Sequence, residues 1–225
     1  MSKNIFITGT GTDVGKTYIS ALIVKLLKDK GYKSLYYKAA VSGNDKVNEQ
    51  LISGDSKFVC DFAELNVNPN DLVSYIFEEP ISPHLAARRK NCEIEMSKIK
   101  KDFNEISSIA DFVTVEGSGG ILCPIYYEKN SKILLEDIIK AFNLSVIIVS
   151  NAKLGSINST VLTVSYLKQK NIKIKGIIIN DFDDKSFMEQ DNLKMIEELT
   201  QIKILAKVGQ NQRNIEIENI EDLYE

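Results

Sequence analysis

The feature that most constrains this chain is an apolar run followed by a glycine-rich segment near its start. Residues 5–7 are apolar (IFI), and residues 8–17 read TGTGTDVGKT. Apolar residues then recur at helical spacing, at positions 19, 22, 23, 26 and 27. A strand, a glycine-rich turn and a helix in this order are typical of a phosphate-binding loop, because glycine lets backbone N–H groups close around a phosphate.

Lys16 and Thr17 end this loop and carry its chemistry. The lysine supplies a mobile positive charge, and the threonine hydroxyl can ligate Mg²⁺. The glycine spacing is unusual, because the common form has its first glycine where this chain has Thr10, and Gly9 and Gly11 stand on either side. A tight turn that binds no ligand is the simplest alternative. The apolar run before the loop and the amphipathic helix after it favour phosphate binding.

Composition limits the class of protein. A chain of 225 residues with 44% apolar content suits one α/β domain spanning residues 1–225. A net charge of −3 argues against a nucleic-acid surface. The three cysteines are widely separated, which disfavours a disulfide framework or a zinc site. No apolar run approaches the roughly 20 residues of a membrane span, and no signal region precedes the first strand, so we expect a cytoplasmic protein with no membrane partner.

Apolar runs alternate with amphipathic segments along the rest of the chain. The predicted strands are residues 5–8, 34–37, 112–115, 146–149, 177–179 and 204–208. The predicted helices are residues 16–30, 95–109, 133–142, 156–170 and 187–200. Gly31 suits the left-handed position just beyond the first helix. Near-continuous apolar strands between amphipathic helices predict an α/β fold of the P-loop NTPase type, with a mostly parallel central β-sheet and helices on both faces.

Ligands of such sheets bind at the carboxyl ends of the strands. Lys38 follows the second predicted strand and could stabilise charge on a transferred phosphoryl group, although such a lysine is often solvated. Glu116 ends the strand at 112–115 and is either a Mg²⁺ ligand or an exposed strand-end glutamate. Asp55 is either a metal ligand or a helix N-cap. Residues 39–56 are predicted to form a long loop beside the site that holds substrate or metal.

Six motifs in order along almost the whole chain resemble those of one family. They are residues 8–17, 37–38 with 42–43, 79–84 (EPISPH), 115–120 (VEGSGG), 153–158 (KLGSIN) and 180–181 (ND). This set resembles the dethiobiotin synthetases, and the six-residue spacing from Gly9 to Gly15 is that family's form of the loop. The resemblance implies an ATP- and Mg²⁺-dependent ligase that carboxylates 7,8-diaminononanoate with CO₂ and closes the ureido ring, through a carbamate and a carbamic-phosphoric anhydride.

The resemblance also implies site residues, carried over position by position. Lys16 and Lys38 would be catalytic. Nucleotide and metal would be bound by Asp13, Val14, Gly15, Lys16, Thr17, Tyr18, Asp55, Glu116, Gly117, Ser118, Gly119, Asn180 and Asp181, with Thr17, Asp55 and Glu116 as Mg²⁺ ligands. Substrate would be bound by Ser42, Gly155, Ser156, Ile157 and Asn158. In the family the last four bind the substrate carboxylate from the neighbouring subunit, which implies a homodimer.

The chain departs from the family pattern at a few positions. Ser118 stands where alanine is frequent, Cys123 replaces a hydroxyl residue before a proline, and no proline follows the last strand, near Gly209. A partition-type or septum-positioning P-loop ATPase is the alternative. Such switches carry a lysine five residues before the loop lysine, where this chain has Gly11. A regulator that binds ATP without turning over a diamine is a further alternative.

Overall fold

The computed structural model describes residues 2–225. The strands, numbered in chain order, are β1 (Lys3–Gly9), β2 (Ser34–Val41), β3 (Lys46–Val47), β4 (Gln50–Leu51), β5 (Val73–Ile76), β6 (Phe112–Gly120), β7 (Pro124–Tyr127), β8 (Lys132–Leu134), β9 (Val146–Ser150), β10 (Ile174–Asn180) and β11 (Ile204–Val208). The α-helices are α1 (Lys16–Asp29), α2 (Gly54–Ala63), α3 (Pro83–Arg89), α4 (Met96–Ser108), α5 (Leu135–Ala141), α6 (Ser156–Gln169) and α7 (Phe187–Thr200). Two 3-10 helices are Pro69–Leu72 and Ile220–Leu223.

Seven strands form the central sheet in the order β11-β10-β9-β1-β6-β2-β5. Every neighbouring pair in it is parallel. Two small antiparallel hairpins, β3-β4 and β7-β8, lie outside this sheet. Parallel neighbours need long crossover connections, and helices supply most of them. The predicted α/β fold with a parallel sheet is confirmed.

Both faces of β1 are buried, in the alternating manner of a strand. Ile5 and Ile7 belong to one apolar cluster with Ile19 and Leu22 of α1. Phe6 belongs to a second cluster. Because successive side chains of a strand point to opposite faces, each face of the sheet contributes to its own core. The loop that follows β1 is therefore held by a strand that is packed on both sides.

The helix predictions agree with the structure to within two residues at each end. α7 begins and ends where predicted, and Gly31 has the expected left-handed backbone, with φ of +91°. The helix predicted from residue 133 begins later, because residues 132–134 pair with β7 as the strand β8. Among residues 2–225, no helix is both long and apolar enough to cross a membrane.

The predictions for the second and third strands are too short. β2 continues through Lys38 to Val41 and β6 through Glu116 to Gly120, because backbone pairing with the neighbouring strands continues past these charged residues. The loop predicted at 39–56 is therefore wrong in part. It holds the end of β2, the β3-β4 hairpin and the start of α2. The edge strand β5 and the helices α2 and α3 were not predicted.

Glu225 joins the carboxyl-terminal segment to the sheet and gives a prediction about pH. Its carboxylate accepts hydrogen bonds from Lys173, from Ser145 at 2.7 Å and from Lys175 at 2.9 Å. The bonds from Lys173 and Ser145, against opposing desolvation, lower the pKa of Glu225 to about 2. A lowered folded-state pKa stabilises the fold above the unfolded value, and this stabilisation is lost as pH falls through the folded value.

We expect Glu225→Gln to lower the free energy of unfolding by about 1 kcal/mol at pH 7, the size of a partly exposed ion pair. The difference from the unchanged protein should shrink as pH falls below about 4.5 and vanish near pH 2. Urea unfolding across this pH range measures it. A difference that is the same at pH 7 and pH 2.5 would show that the carboxylate's charge contributes nothing.

Candidate active site

The glycine-rich loop between β1 and α1 has the geometry of a phosphate cradle. Gly15 precedes α1 with φ of +92°, a left-handed backbone that favours glycine. A Cβ on Gly9 would lie 2.7 Å from the Val14 side chain, so close packing explains the glycine six residues before Gly15. A Cβ on Gly11 would meet nothing within 4 Å. The N–H groups at the start of α1 lack side-chain capping and are available to an anion.

Lys16 is folded over this loop. Its Nζ donates to the backbone carbonyl of Gly11 at 2.8 Å. Burial is the largest influence on the ammonium and lowers the pKa of Lys16; the Glu116 carboxylate opposes this shift and the Lys38 ammonium adds to it. A partly desolvated lysine at the end of a phosphate loop is placed to pair with an anionic ligand.

Four side chains from four elements meet beside the loop. Lys38 Nζ of β2 lies 2.6 Å from Asp55 Oδ2 of α2 and 2.7 Å from Glu116 Oε1 of β6. The Thr17 hydroxyl of α1 donates to Glu116 Oε1 at 3.0 Å and lies 3.3 Å from Asp55 Oδ1. We call Thr17, Lys38, Asp55 and Glu116 the acidic–lysine cluster. The residues predicted from four separate parts of the sequence are thus in direct contact.

The pairing of β2 with β6 explains the central contact of the cluster. Lys38 lies opposite Glu116 in the parallel register, so both side chains leave the same face of the sheet. Both residues lie inside their strands and not beyond the strand ends, which corrects the positions predicted for them. The side chain of Glu116 is fully buried, so the alternative of an exposed strand-end glutamate is wrong.

Asp55 lies in the first turn of α2 and does not cap the helix. Ser53 is the N-cap, since its hydroxyl accepts from the backbone N–H of Ser56 at 3.3 Å. The N-cap alternative for Asp55 is therefore wrong. An acidic side chain in the first turn is favoured by the helix dipole, and here it faces the lysine and threonine of the cluster.

The acidic–lysine cluster fits a divalent cation. Burial opposes the charge of Lys38, but the carboxylates of Glu116 and Asp55 outweigh it and raise the pKa of Lys38. The two carboxylates thus already hold one cation, the ammonium of Lys38. Two carboxylates and a hydroxyl are hard oxygen donors of the kind Mg²⁺ prefers, with water and phosphate oxygens completing its shell. Within residues 2–225, no three His, Cys, Asp or Glu side chains form a metal-binding group.

Tyr36 contacts the cluster from inside the core. Its hydroxyl donates to Glu116 Oε2 at 3.1 Å. Burial first, and then the Glu116 carboxylate, raises the pKa of Tyr36 well above its usual value, so the phenol remains a donor. The motifs gave no sign of this residue. The alternation of β2 could have found it, because Tyr36 lies two residues before Lys38 and so shares its face.

A cavity of about 970 Å³ opens over the loop and the cluster. Among the predicted site residues it is lined by Asp13, Gly15, Lys16, Thr17, Tyr18, Lys38, Ser42, Asp55, Glu116, Ser118 and Gly119. Residues 80–83 and Cys123 also line it, and so does Phe58. Phe58 lies one turn after Asp55 and was missed because α2 was not predicted. The cavity is large enough for a phosphate chain and a second small molecule.

A second cavity, of about 320 Å³, adjoins the loop on the side of β10. Its predicted members are Asp13, Val14, Tyr18, Asn180 and Asp181, and it also includes Asn151, Lys153 and residues 209–211. Asn180 Nδ2 donates to the carbonyl of Val14 at 3.1 Å, and Asp181 pairs with Lys153. Asp13 and Tyr18 line both cavities, so the two cavities adjoin at these residues.

Several predicted site residues either line neither cavity or have a structural contact of their own. Gly117 packs in the core, where a Cβ would lie 3.0 Å from the ring of Phe6. Ser118 lines the first cavity, but its hydroxyl donates to the carbonyl of Ala40 at 2.8 Å and so joins β6 to β2. Residues 155–158 begin α6 and are absent from the lining of both cavities in this single chain.

Comparisons with known proteins give the family. A model described as an AAA domain matches residues 3–216. An ATP-dependent dethiobiotin synthetase of Clostridium botulinum strain Alaska E43 is 50% identical over 91% of this chain and 89% of the relative. The chain belongs to the dethiobiotin synthetase family. A second member, from Clostridium botulinum strain 657, is 48% identical over 100% of this chain and 99% of its own length.

Solved structures of lower identity share the fold of this dethiobiotin synthetase family member. A ParA family ATPase from Chlorobium tepidum TLS has a TM-score of 0.61 and 14% identity, covering 94% of this chain and 86% of that protein. Similarity at this identity concerns the fold alone. The partition-type alternative therefore gains no functional support, whereas identity near half over the whole chain favours the dethiobiotin synthetase family.

Proposed function

We propose that this chain is an ATP- and Mg²⁺-dependent ligase that converts 7,8-diaminononanoate, CO₂ and ATP into dethiobiotin, ADP and phosphate. One observation carries the proposal: in a member of this family, Lys38, Asp55 and Glu116 converge with Thr17 directly beside the phosphate loop. We also propose that residues 1–225 act as one domain in the cytoplasm, with small molecules and no nucleic acid or membrane as partners.

The chemistry needs a positive site for phosphoryl transfer. One amine of the substrate takes up CO₂ as a carbamate, the γ-phosphoryl group of ATP moves to a carbamate oxygen, and the second amine attacks the carbonyl carbon as phosphate leaves. Lys16 and Lys38 would hold the negative charge that builds on the transferred group. Bound Mg²⁺ would supply further charge neutralisation between Thr17, Asp55 and Glu116. Loop residues 13–18, with Gly117–Gly119 behind them, would position the phosphates.

The purine would lie in the smaller cavity. Asn180 and Asp181 follow β10, at the carboxyl end of the sheet where α/β proteins bind ligands. The Asn180 amide already touches the phosphate loop through Val14, so base and phosphate binding would share one rigid unit. The sequence has no Asn-Lys-x-Asp guanine motif, which favours ATP over GTP.

The substrate would need two copies of the chain. Ser42 lines the large cavity and would contact the diamine end. Residues 155–158 would bind the carboxylate of a substrate held in the neighbouring subunit, giving a homodimer. Gly155 is the N-cap of α6, which has no side-chain cap, and the buried Ser156 hydroxyl has no hydrogen-bond partner among residues 2–225. Uncapped N–H groups and a free hydroxyl suit a carboxylate.

Glu116→Gln is expected to weaken the response to Mg²⁺. The amide keeps the shape of the side chain but removes one of two carboxylates. Loss of an outer-shell partner alone lowers metal affinity or activity by about 10- to 100-fold. The Mg²⁺ concentration for half-maximal turnover should therefore rise at least about tenfold. Mg²⁺ titration of phosphate release measures it. Glu64→Gln, on the exposed end of α2, is the control. If both variants gave the same Mg²⁺ titration, the assignment of Glu116 as a metal ligand would be wrong.

Phosphate release with Mg²⁺, ATP and bicarbonate, in the presence and absence of 7,8-diaminononanoate, tests the proposed function. We expect release to rise with the diamine and to saturate. Release that is the same with and without the diamine would contradict the ligase and would favour a nucleotide-binding switch or regulator. A gel-filtration mass of one chain under assay conditions would contradict the shared substrate site.

A further inference from the structure

Tyr36 is a buried residue whose hydroxyl contacts the acidic–lysine cluster at one residue, Glu116. Its side chain is 0% exposed, and it lines neither cavity. The hydroxyl donates to Glu116 Oε2 at 3.1 Å. Among residues 2–225, the structure shows no other hydrogen bond to that oxygen. Tyr36 therefore reaches the reaction site only through Glu116.

The two carboxylate oxygens of Glu116 have different hydrogen-bond partners. Oε1 accepts from the Thr17 hydroxyl at 3.0 Å and pairs with Lys38 at 2.7 Å, so it faces the loop and the large cavity. Oε2 faces inward to Tyr36. The carboxylate is fully buried, and a buried oxygen without a donor is strongly disfavoured. A donor on Oε2 thus makes one rotation of the carboxylate preferred over the others.

The backbone register builds this arrangement. In the parallel pairing of β2 with β6, Tyr36 lies opposite Thr114 and Lys38 lies opposite Glu116. Successive side chains of a strand alternate between faces, so Tyr36 and Lys38 share the face from which Glu116 projects. The phenol is one diagonal step from the carboxylate, which is within reach of a long aromatic side chain.

We propose that Tyr36 is a positioning residue that fixes the rotation of the Glu116 carboxylate and thereby sets how tightly the site holds Mg²⁺. The inference rests on the proposed metal role of Glu116. The phenol of Tyr36 touches neither metal nor substrate. It acts by holding Oε2, which keeps Oε1 turned toward Thr17 and ready to bind a cation. Outer-shell donors of this kind orient the ligands of many metal sites.

Tyr37 offers a matched comparison within the same strand. It is equally buried, and its hydroxyl makes two hydrogen bonds, with Ser74 at 2.7 Å and with the carbonyl of Ile99 at 3.0 Å. Its side chain points to the opposite face of β2, and the hydrogen bonds of its hydroxyl among residues 2–225 go to Ser74 and Ile99 and not to the acidic–lysine cluster. Loss of its hydroxyl removes both of these hydrogen bonds and leaves the one to Glu116 in place.

The experiment compares Tyr36→Phe with Tyr37→Phe in the full chain. Two readouts are needed: the Mg²⁺ dependence of diamine-dependent phosphate release, and the affinity for Mn²⁺, as a spectroscopic stand-in, of the ADP complex without turnover. For Tyr36→Phe we expect both metal constants to weaken by about tenfold, the lower end of outer-shell effects, with kcat at saturating Mg²⁺ changed by less than about threefold. For Tyr37→Phe we expect a lower melting temperature and unchanged metal constants.

The outcomes separate this inference from the proposed function. If the unchanged protein shows diamine-dependent turnover that requires Mg²⁺, yet Tyr36→Phe titrates like it, the positioning role is overturned and the function stands. An equal shift in both variants would also overturn it, because a general loss of stability would then explain the result. If the unchanged protein requires no Mg²⁺, the metal role of Glu116 fails and the inference fails with it.

Discussion

Replacing Lys38 with methionine is expected to lower the kcat of diamine-dependent ATP turnover by about 10²- to 10³-fold, the usual size of losing one preorganised charge at a transition state. Methionine preserves most of the volume of the side chain and removes its charge. The lysine is 5% exposed, and its raised pKa keeps it protonated at any usual assay pH. Its ammonium would therefore carry a lasting charge at the proposed site of phosphoryl transfer.

Replacing Lys38 with methionine should leave the affinity for Mg²⁺ unchanged or raise it. Lys38 would compete with the proposed metal for Asp55 and Glu116, since its Nζ lies within hydrogen-bond distance of both carboxylates. Removing it frees both carboxylates, so the Mg²⁺ concentration for half-maximal turnover should not rise. Steady-state kinetics across a Mg²⁺ series separates the two effects. Lys25→Met, in an exposed pair with Asp29 on α1, is the control, and a kcat for Lys38→Met equal to that of the control would contradict the catalytic role.

Gly15→Ala is expected to abolish measurable ATP binding. The residue combines a left-handed backbone with a crowded position, because a Cβ would lie 2.0 Å from the Nδ2 atom of Asn180. The added methyl would displace the Asn180 side chain from the loop. It would disturb the N–H groups at the start of α1 and the hydrogen bond from Asn180 to Val14. Both proposed parts of the nucleotide site would be lost together.

Gly31→Ala separates the clash from the backbone strain. Gly31 has nearly the same φ, +91° against +92°, and a Cβ there meets nothing within 4 Å. We expect this variant to lose roughly 1 kcal/mol of stability, as for other single residues forced into sparsely populated backbone regions, and to bind ATP normally. Calorimetric titration with a non-hydrolysable ATP analogue and thermal melting give the two quantities. Normal ATP binding by Gly15→Ala would contradict the coupling of Asn180 to the loop.

Periodicity predicted most of the fold because the central strands are apolar on both faces. β1, β9 and β10 each contain a short run of buried isoleucine, valine or phenylalanine, and α7 has clear helical spacing. β5 was missed because it is a four-residue edge strand, and α2 because its start reads as a polar loop. β2 and β6 were predicted too short because each continues past a charged residue, Lys38 or Glu116, that pairs with a neighbouring strand.

Some parts of the site are easier to predict from the sequence than others, because some of its contacts are local and others depend on strand order. The loop and its lysine are local in sequence, so a single window indicates their chemistry. Lys38 and Glu116 are 78 residues apart, and their contact depends on the order of strands in the sheet. Tyr36 and Tyr37 look alike in sequence. Only the register of β2 against β6 decides which hydroxyl reaches Glu116.

The most direct test of the ligase proposal follows the carbon of CO₂ into product. The protein is incubated with ¹³C-bicarbonate, ATP, Mg²⁺ and 7,8-diaminononanoate, and the organic product is analysed by mass spectrometry alongside ADP. The proposal predicts dethiobiotin that carries the label in its ureido carbonyl, formed in equal amount to ADP. ADP formation without labelled dethiobiotin would contradict it.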